Sequence, residues 1–191
     1  MVLGVAPIVV KRKTGEARIA PPCCWKISWN ATWPKTIPHL TRLHSTRPLC
    51  FPQTFFPNMN SGYIPEAILA RLHQTNPEAI ALNAGPRLLR DIEASLLVKL
   101  QKVADFAEVF QLMASRESGT CALLLILDRQ TVNAHVVVII NSNGAPTIME
   151  GQNWGPTYPV GTCTTPAEAQ ARYGAAVDLR LGMVPLPAPA Q

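Results

Sequence analysis

The stretch His135 to Glu150, HVVVIINSNGAPTIME, decides the fold of this chain. Its first part is dense in β-branched residues, whose stiff side chains pack well on a pleated surface. Asn143-Gly144 then supplies a turn, and APTIME runs on as a further strand. Two apolar runs joined by Asn-Gly predict a β-hairpin, because both turn residues tolerate the positive φ that a tight hairpin needs. Upstream, Thr120 to Leu127 (TCALLLIL) is apolar throughout and follows Gly119, which suits a strand covered on both faces.

Outward from these strands the period changes from two to 3.6. Asp105 is placed to cap a helix whose buried face is Phe106, Val109, Phe110 and Met113. Residues 86–103 (PRLLRDIEASLLVKLQKV) repeat apolar side chains at Leu88, Leu89, Ile92, Leu96, Leu97 and Leu100, which predicts one long amphipathic helix. Residues 63–73 (YIPEAILARLH) predict another, with Pro65 in the first turn, where a missing N–H costs little. Downstream, Thr165-Pro166-Ala167-Glu168 is a capping box that opens a short helix to Tyr173, closed by Gly174. Residues 176–191 are expected to be an extended tail, ending in VPLPAPAQ. Helices first and strands afterwards predict an α+β domain over residues 58–175.

The net charge of +5 conceals a split. Residues 1–57 carry eight Lys or Arg against one acid, Glu16, whereas residues 58–191 carry nine basic and eleven acidic residues. The first segment also holds eight of the 18 prolines and is read as a basic, poorly ordered arm. Trp25, Trp29 and Trp33 are four apart, but Pro21, Pro22 and Pro34 leave room for only a short helix. The rest is weakly acidic and lacks the electrostatic footprint of a nucleic-acid binder. An apolar fraction of 48% with 15% charged residues argues against a wholly disordered chain. No apolar run reaches the eighteen or so residues of a membrane-spanning helix. At the start, MVLGVAPIVVKRK places its apolar stretch before its basic cluster, the reverse of a secretory signal, so cytoplasmic synthesis with free thiols is expected. Asn30-Ala31-Thr32 is then a chance match to a glycosylation acceptor.

His135 opens a strand after the polar loop DRQTVNA, and Glu150 ends the next strand of the same hairpin. The two are therefore expected side by side at one sheet end, where a carboxylate fixes the tautomer of a histidine and stabilises its imidazolium. Gln152 follows and could supply an amide donor to an oxyanion. On spacing alone, an ordinary surface pair is the plainer account.

Residues 134–154, AHVVVIINSNGAPTIMEGQNW, resemble the histidine–hairpin–carboxylate block of the papain-fold toxin domains of bacterial polymorphic toxins, which are similar to glutamine deamidases and papain-like cysteine proteases. In that resemblance Ala134-His135 stands for a glycine-histidine pair. Asn141 and Gly144 fit the turn region, and Glu150-Gly151-Gln152 replaces aspartate-x-glutamine. Phe106 to Thr120 resembles the helix and glycine turn before the block. In the register that begins at Ala67, Leu72 and Ala79 match the helix pattern, Asn60 takes the asparagine position, and Ser61 takes that of the nucleophilic cysteine. Ile64 replaces a second common cysteine, and Gln74 and Asn76 stand where glycine and proline are usual.

The resemblance spans residues 58–156 and implies a papain-like fold. It implies hydrolysis of a protein amide, either a glutamine side chain or a peptide bond, with Ser61, His135, Glu150 and Gln152 as the site. It also implies a protein target and export by a specialised secretion system. The substitutions imply an impaired copy. A cysteine thiol ionises readily beside an imidazolium at a helix N-terminus, whereas a serine hydroxyl does not. Glu for Asp adds a methylene, and a misplacement of about 1 Å can cost ~100-fold. Ser61 as a plain helix cap is an equal reading, and a non-catalytic protein-interaction module is the alternative function.

The cysteines offer no clear substitute. Cys24-Trp25 is similar to a pair in plant-type papains but lacks a glycine-rich approach, and Cys50 lies between Pro48 and Pro52 and starts no helix. Cys121 is expected in the core, and Cys163 in a loop. Cys23, Cys24, His39, His44 and Cys50 are zinc-type ligands, but adjacent cysteines do not match zinc spacing, so no metal is expected. No glycine-rich phosphate loop or nucleotide fingerprint is present, so no cofactor is expected either.

Overall fold

The computed structural model describes residues 60–152 and 161–186, apart from Gln74, Asn83 and Val132. The basic arm, 1–57, lies outside the described residues. Within them the chain is α+β, with four helices and one six-stranded antiparallel sheet. The elements are α1 (Ile64–Leu72), α2 (Leu89–Ser95), β1 (Gln101–Val103), α3 (Phe106–Ala114), β2 (Cys121–Asp128), β3 (Ala134–Ser142), β4 (Ala145–Glu150), β5 (Gly161–Cys163), α4 (Pro166–Tyr173) and β6 (Val177–Met183). The strand order is β1-β6-β2-β3-β4-β5.

The strands β2 and β3 form the centre because their side chains are apolar on both faces. Leu123, Leu125, Val136, Val138 and Ile140 pack with α1, and Leu124, Ile126, Val137 and Ile139 pack with α3. Each such fully buried aliphatic side chain contributes about 1.5–3 kcal/mol relative to exposure. The turn between β3 and β4 takes positive φ at both residues, Asn143 at 55° and Gly144 at 82°, as an Asn-Gly hairpin requires. Asn141, read from the resemblance as part of the turn region, is buried there. Its Nδ2 donates to the Arg116 carbonyl at 2.6 Å, and its Oδ1 accepts from Gly144 N at 2.9 Å. That residue closes the turn and ties it to the loop before β2.

The expected helix over 86–103 is corrected. Helix α2 ends at Ser95, and Leu97 adopts a left-handed φ of 52°. Val98 and Leu100 then turn inward to the α1 side of the sheet, and 101–103 become β1. Six apolar positions matched the helical period, but burial over the sheet and pairing with β6 prevailed. This segment crosses Gly182 closely: a Cβ there would stand 2.9 Å from the Lys99 carbonyl oxygen and 3.1 Å from Leu100.

The extended tail from residue 176, and with it the domain end at 175, is also corrected. Strand β6 lies inside the sheet, between β1 and β2, in the register Gln101↔Leu181 and Leu124↔Leu181. Val177, Leu179 and Leu181 alternate with Asp178, Arg180 and Gly182, a period of two that marks a strand. Helices and strands are accordingly interleaved along the chain rather than segregated.

Candidate functional site

The pairing of β3 with β4 places Val138 opposite Met149. Continued one step, that register sets Glu150 opposite Val137 and diagonal to His135 on the same face, within reach of long side chains. The observed contact is 2.6 Å between His135 Nε2 and Glu150 Oε2, with both side chains buried, at 6% and 2% residue exposure. The expected neighbourhood is present, but these residues are interior rather than a surface pair.

Glu150 is held at both oxygens. Its Oε1 accepts from the Gln152 backbone N–H at 2.8 Å, and its Oε2 accepts from the Tyr173 hydroxyl at 3.2 Å as well as meeting His135. An ionised carboxylate only accepts, so it satisfies all three donors at once. With Nε2–H donating to Glu150, the neutral imidazole has Nδ1 as its basic nitrogen. Such an arrangement can take a proton at Nδ1 while the carboxylate stabilises the resulting imidazolium.

Gln152 enters the cluster through its backbone. Its side chain is buried, and its Oε1 has no hydrogen-bond partner among the described residues. Tyr173 is the member that sequence reasoning missed. It is the last residue of α4, and its ring lies 6.0 Å from that of His135 and 6.1 Å from that of Phe106. Burial, followed by the Glu150 charge, holds its phenol well above the usual value, so it stays a proton donor at neutral pH. Position 173 stands 23 residues from Glu150, and no local pattern connects the two.

Ser61 is not hydrogen-bonded to this cluster. It is half-buried just before α1, whose apolar face lies against Val136, Val138 and Ile140. The His135 and Glu150 side chains have the opposite strand parity, shared with Ile126 and Ile148 on the α3 and α4 side. The helix-cap reading of Ser61 is corrected too: the cap position is Tyr63, no side chain caps α1, and the Asn60 carbonyl accepts from Tyr63 N at 2.8 Å and Ile64 N at 3.2 Å.

Neither described cysteine is poised as a nucleophile. Cys121 is in the core, where burial pushes its thiol up to about 12. Cys163, expected in a loop, is instead a buried residue of β5, paired opposite Ile148 on the face that holds the cluster. Burial first, with the Glu168 and Glu150 charges adding and Arg172 opposing, pushes its thiol up to about 11. Thiols this far above neutral remain protonated. Cys23, Cys24, Cys50, His39 and His44 lie outside the described residues, and among the described residues no group of three or more His, Cys, Asp or Glu could hold a metal ion. No described helix is long and apolar enough to cross a membrane.

No protein-family model matches the chain, and no curated protein matches it either.

Proposed function

We propose that this chain carries a papain-like domain of the bacterial toxin and effector type, descended from an enzyme that hydrolysed a protein amide. The observation that carries this reading is the 2.6 Å contact of His135 with Glu150, fifteen residues apart across one hairpin, with Gln152 next to the carboxylate. This is a base-and-orienter pair in the order the resemblance implies, and its chemistry is proton transfer to and from a reacting nucleophile and leaving group. Glu150 in place of the family's aspartate is compensated here, because donors at both oxygens fix the longer side chain. The nucleophile is what this copy lacks. Ser61 occupies its sequence position, but a hydroxyl there stays protonated at neutral pH, and no hydrogen bond links it to His135.

The test is covalent capture by a glutamine- or peptide-like electrophile, comparing wild type, Ser61→Cys, and Ser61→Cys with His135→Ala. Wild type is expected to hydrolyse little or no amide substrate. Labelling of Cys introduced at 61 that disappears with His135→Ala supports the hydrolase ancestry; equal labelling in both variants overturns it.

The burial of His135 and Glu150 and the position of α1 on the other face favour a second reading, a protein-interaction module of the same architecture with no catalysis. On that reading Ser61→Cys gains no labelling above wild type.

A further inference from the structure

We infer that Tyr173 is a positioning residue of the His135–Glu150 pair, its hydroxyl fixing the carboxylate oxygen that receives the imidazole. The inference deepens the proposed reading of this site and rests on it. A glutamate carboxylate turns about three side-chain bonds, so a single contact with an imidazole leaves it free to swing. Two further donors remove that freedom. Gln152 N–H holds Oε1 at 2.8 Å, and the Tyr173 hydroxyl holds Oε2, the oxygen that meets His135 Nε2, at 3.2 Å.

Tyr173 is itself fixed from several directions. The ring of Phe106 stacks at 6.1 Å with an interplanar angle of 28°, and that of His135 sits at 6.0 Å and 37°. Helix α4 is anchored at its start, where the Thr165 hydroxyl accepts from Glu168 N at 3.2 Å and Glu168 Oε2 accepts from Thr165 N at 3.3 Å and Thr164 N at 2.6 Å. Ala169 buries the middle of the helix. The chain leaves the helix at Gly174, φ 93°, directly after the tyrosine. A capped and packed helix thus delivers one hydroxyl to one carboxylate oxygen, and Glu150 is set in three dimensions by a strand, a backbone N–H and a helix end.

The experiment follows the ring N–H proton of His135 by NMR in the full chain labelled with ¹⁵N-histidine. Wild type is expected to show a ring N–H protected from solvent exchange. Tyr173→Phe keeps the ring and removes the hydroxyl. It is expected to speed exchange of that proton about tenfold, in line with one hydrogen bond to a charged group, while backbone amide exchange over residues 136–140 stays as in wild type. Unchanged ring exchange overturns the inference, as does acceleration of ring and backbone together, which would mark Tyr173 as simple packing. Protection lost in Glu150→Gln but kept in Tyr173→Phe overturns the role of Tyr173 alone. A wild-type ring proton with no protection overturns the pairing itself. Should Tyr173→Phe fail to fold, 3,5-difluorotyrosine placed at 173 alone, a stronger donor of nearly the same shape, is expected to shift the Glu150 carboxyl carbon signal, and an unmoved signal overturns the inference.

Discussion

On one face of the sheet α1 covers Leu123, Leu125, Val136, Val138 and Ile140, with Val98 and Leu100 alongside, and the packing is mainly apolar, although α1 also buries Arg71, whose Nε donates to the Ala79 carbonyl at 2.8 Å. On the other face α3 and α4 cover Leu124, Ile126, Val137 and Ile139, but at one sheet end the apolar rows give way to His135, Glu150 and Tyr173. The same alternation of strand side chains produces both faces. What differs is the kind of error each tolerates. A missing methyl group on the α1 face leaves a void, whereas a missing partner on the other face leaves a polar group buried without its hydrogen bond, and the two faults are distinguishable by mutation.

The largest effect is expected at the polar end. His135→Leu removes one side of a buried pair and should destabilise the fold by about 3–5 kcal/mol. Adding Glu150→Leu should recover part of that loss. Recovery is incomplete because the Tyr173 hydroxyl and Gln152 N–H lose their acceptor, at about 1–3 kcal/mol for each. Urea unfolding of the two single variants and the double variant measures the coupling, and strictly additive losses would show that the pair does not act as a unit. On the α1 face, Ile68 is fully buried, and Ile68→Ala should cost about 2–5 kcal/mol through lost burial and a cavity. That loss should be the same at pH 5 and pH 8, since the substitution removes only apolar atoms.

A smaller effect tests the crossing at Gly182. Gly182→Ala pushes a methyl group against Val98, Lys99 and Leu100, and should cost about 1–3 kcal/mol. Pairing the substitution with Val98→Ala should return part of the loss, measured as a rise in the urea midpoint; no recovery would place the strain elsewhere. The smallest effect is at the start of α4. Thr165→Ala should cost about 1 kcal/mol by removing the helix cap. Thr164 N–H donation, the leading cause, holds the Glu168 carboxyl below its ordinary value. The stabilisation from Glu168 is therefore complete above the unfolded value near 4.5 and disappears as pH falls through the lower folded value. Glu168→Gln should flatten that acid limb of a stability-against-pH curve, and an unaltered limb would assign it to other carboxylates.

The legible parts of the molecule were those whose cause is local. The Asn143-Gly144 turn, the capping box at Thr165, the Asp105 cap and the buried face of α3 all depend on residues a few positions apart, and each stands where the periodicity indicated. The nearness of His135 and Glu150 was legible for the same reason, since one tight hairpin sets the register. The alternation of Val177, Leu179 and Leu181 is present in the sequence, but the helix closure at Gly174 and the proline-rich VPLPAPAQ on either side read as the end of the domain. Residues 96–103 misled because apolar positions at helical spacing also serve a chain that turns over a sheet.

By itself, then, the sequence determined which segments alternate at period two or 3.6, where the hairpin turns, and which two side chains meet across it. Tertiary structure alone decided that 177–183 slots between β1 and β2, that α1 packs on the face opposite His135, and that Tyr173 closes on Glu150. Those outcomes join residues 23 to 80 positions apart. They follow from burying both faces of one sheet at once, a condition that no short window of sequence contains.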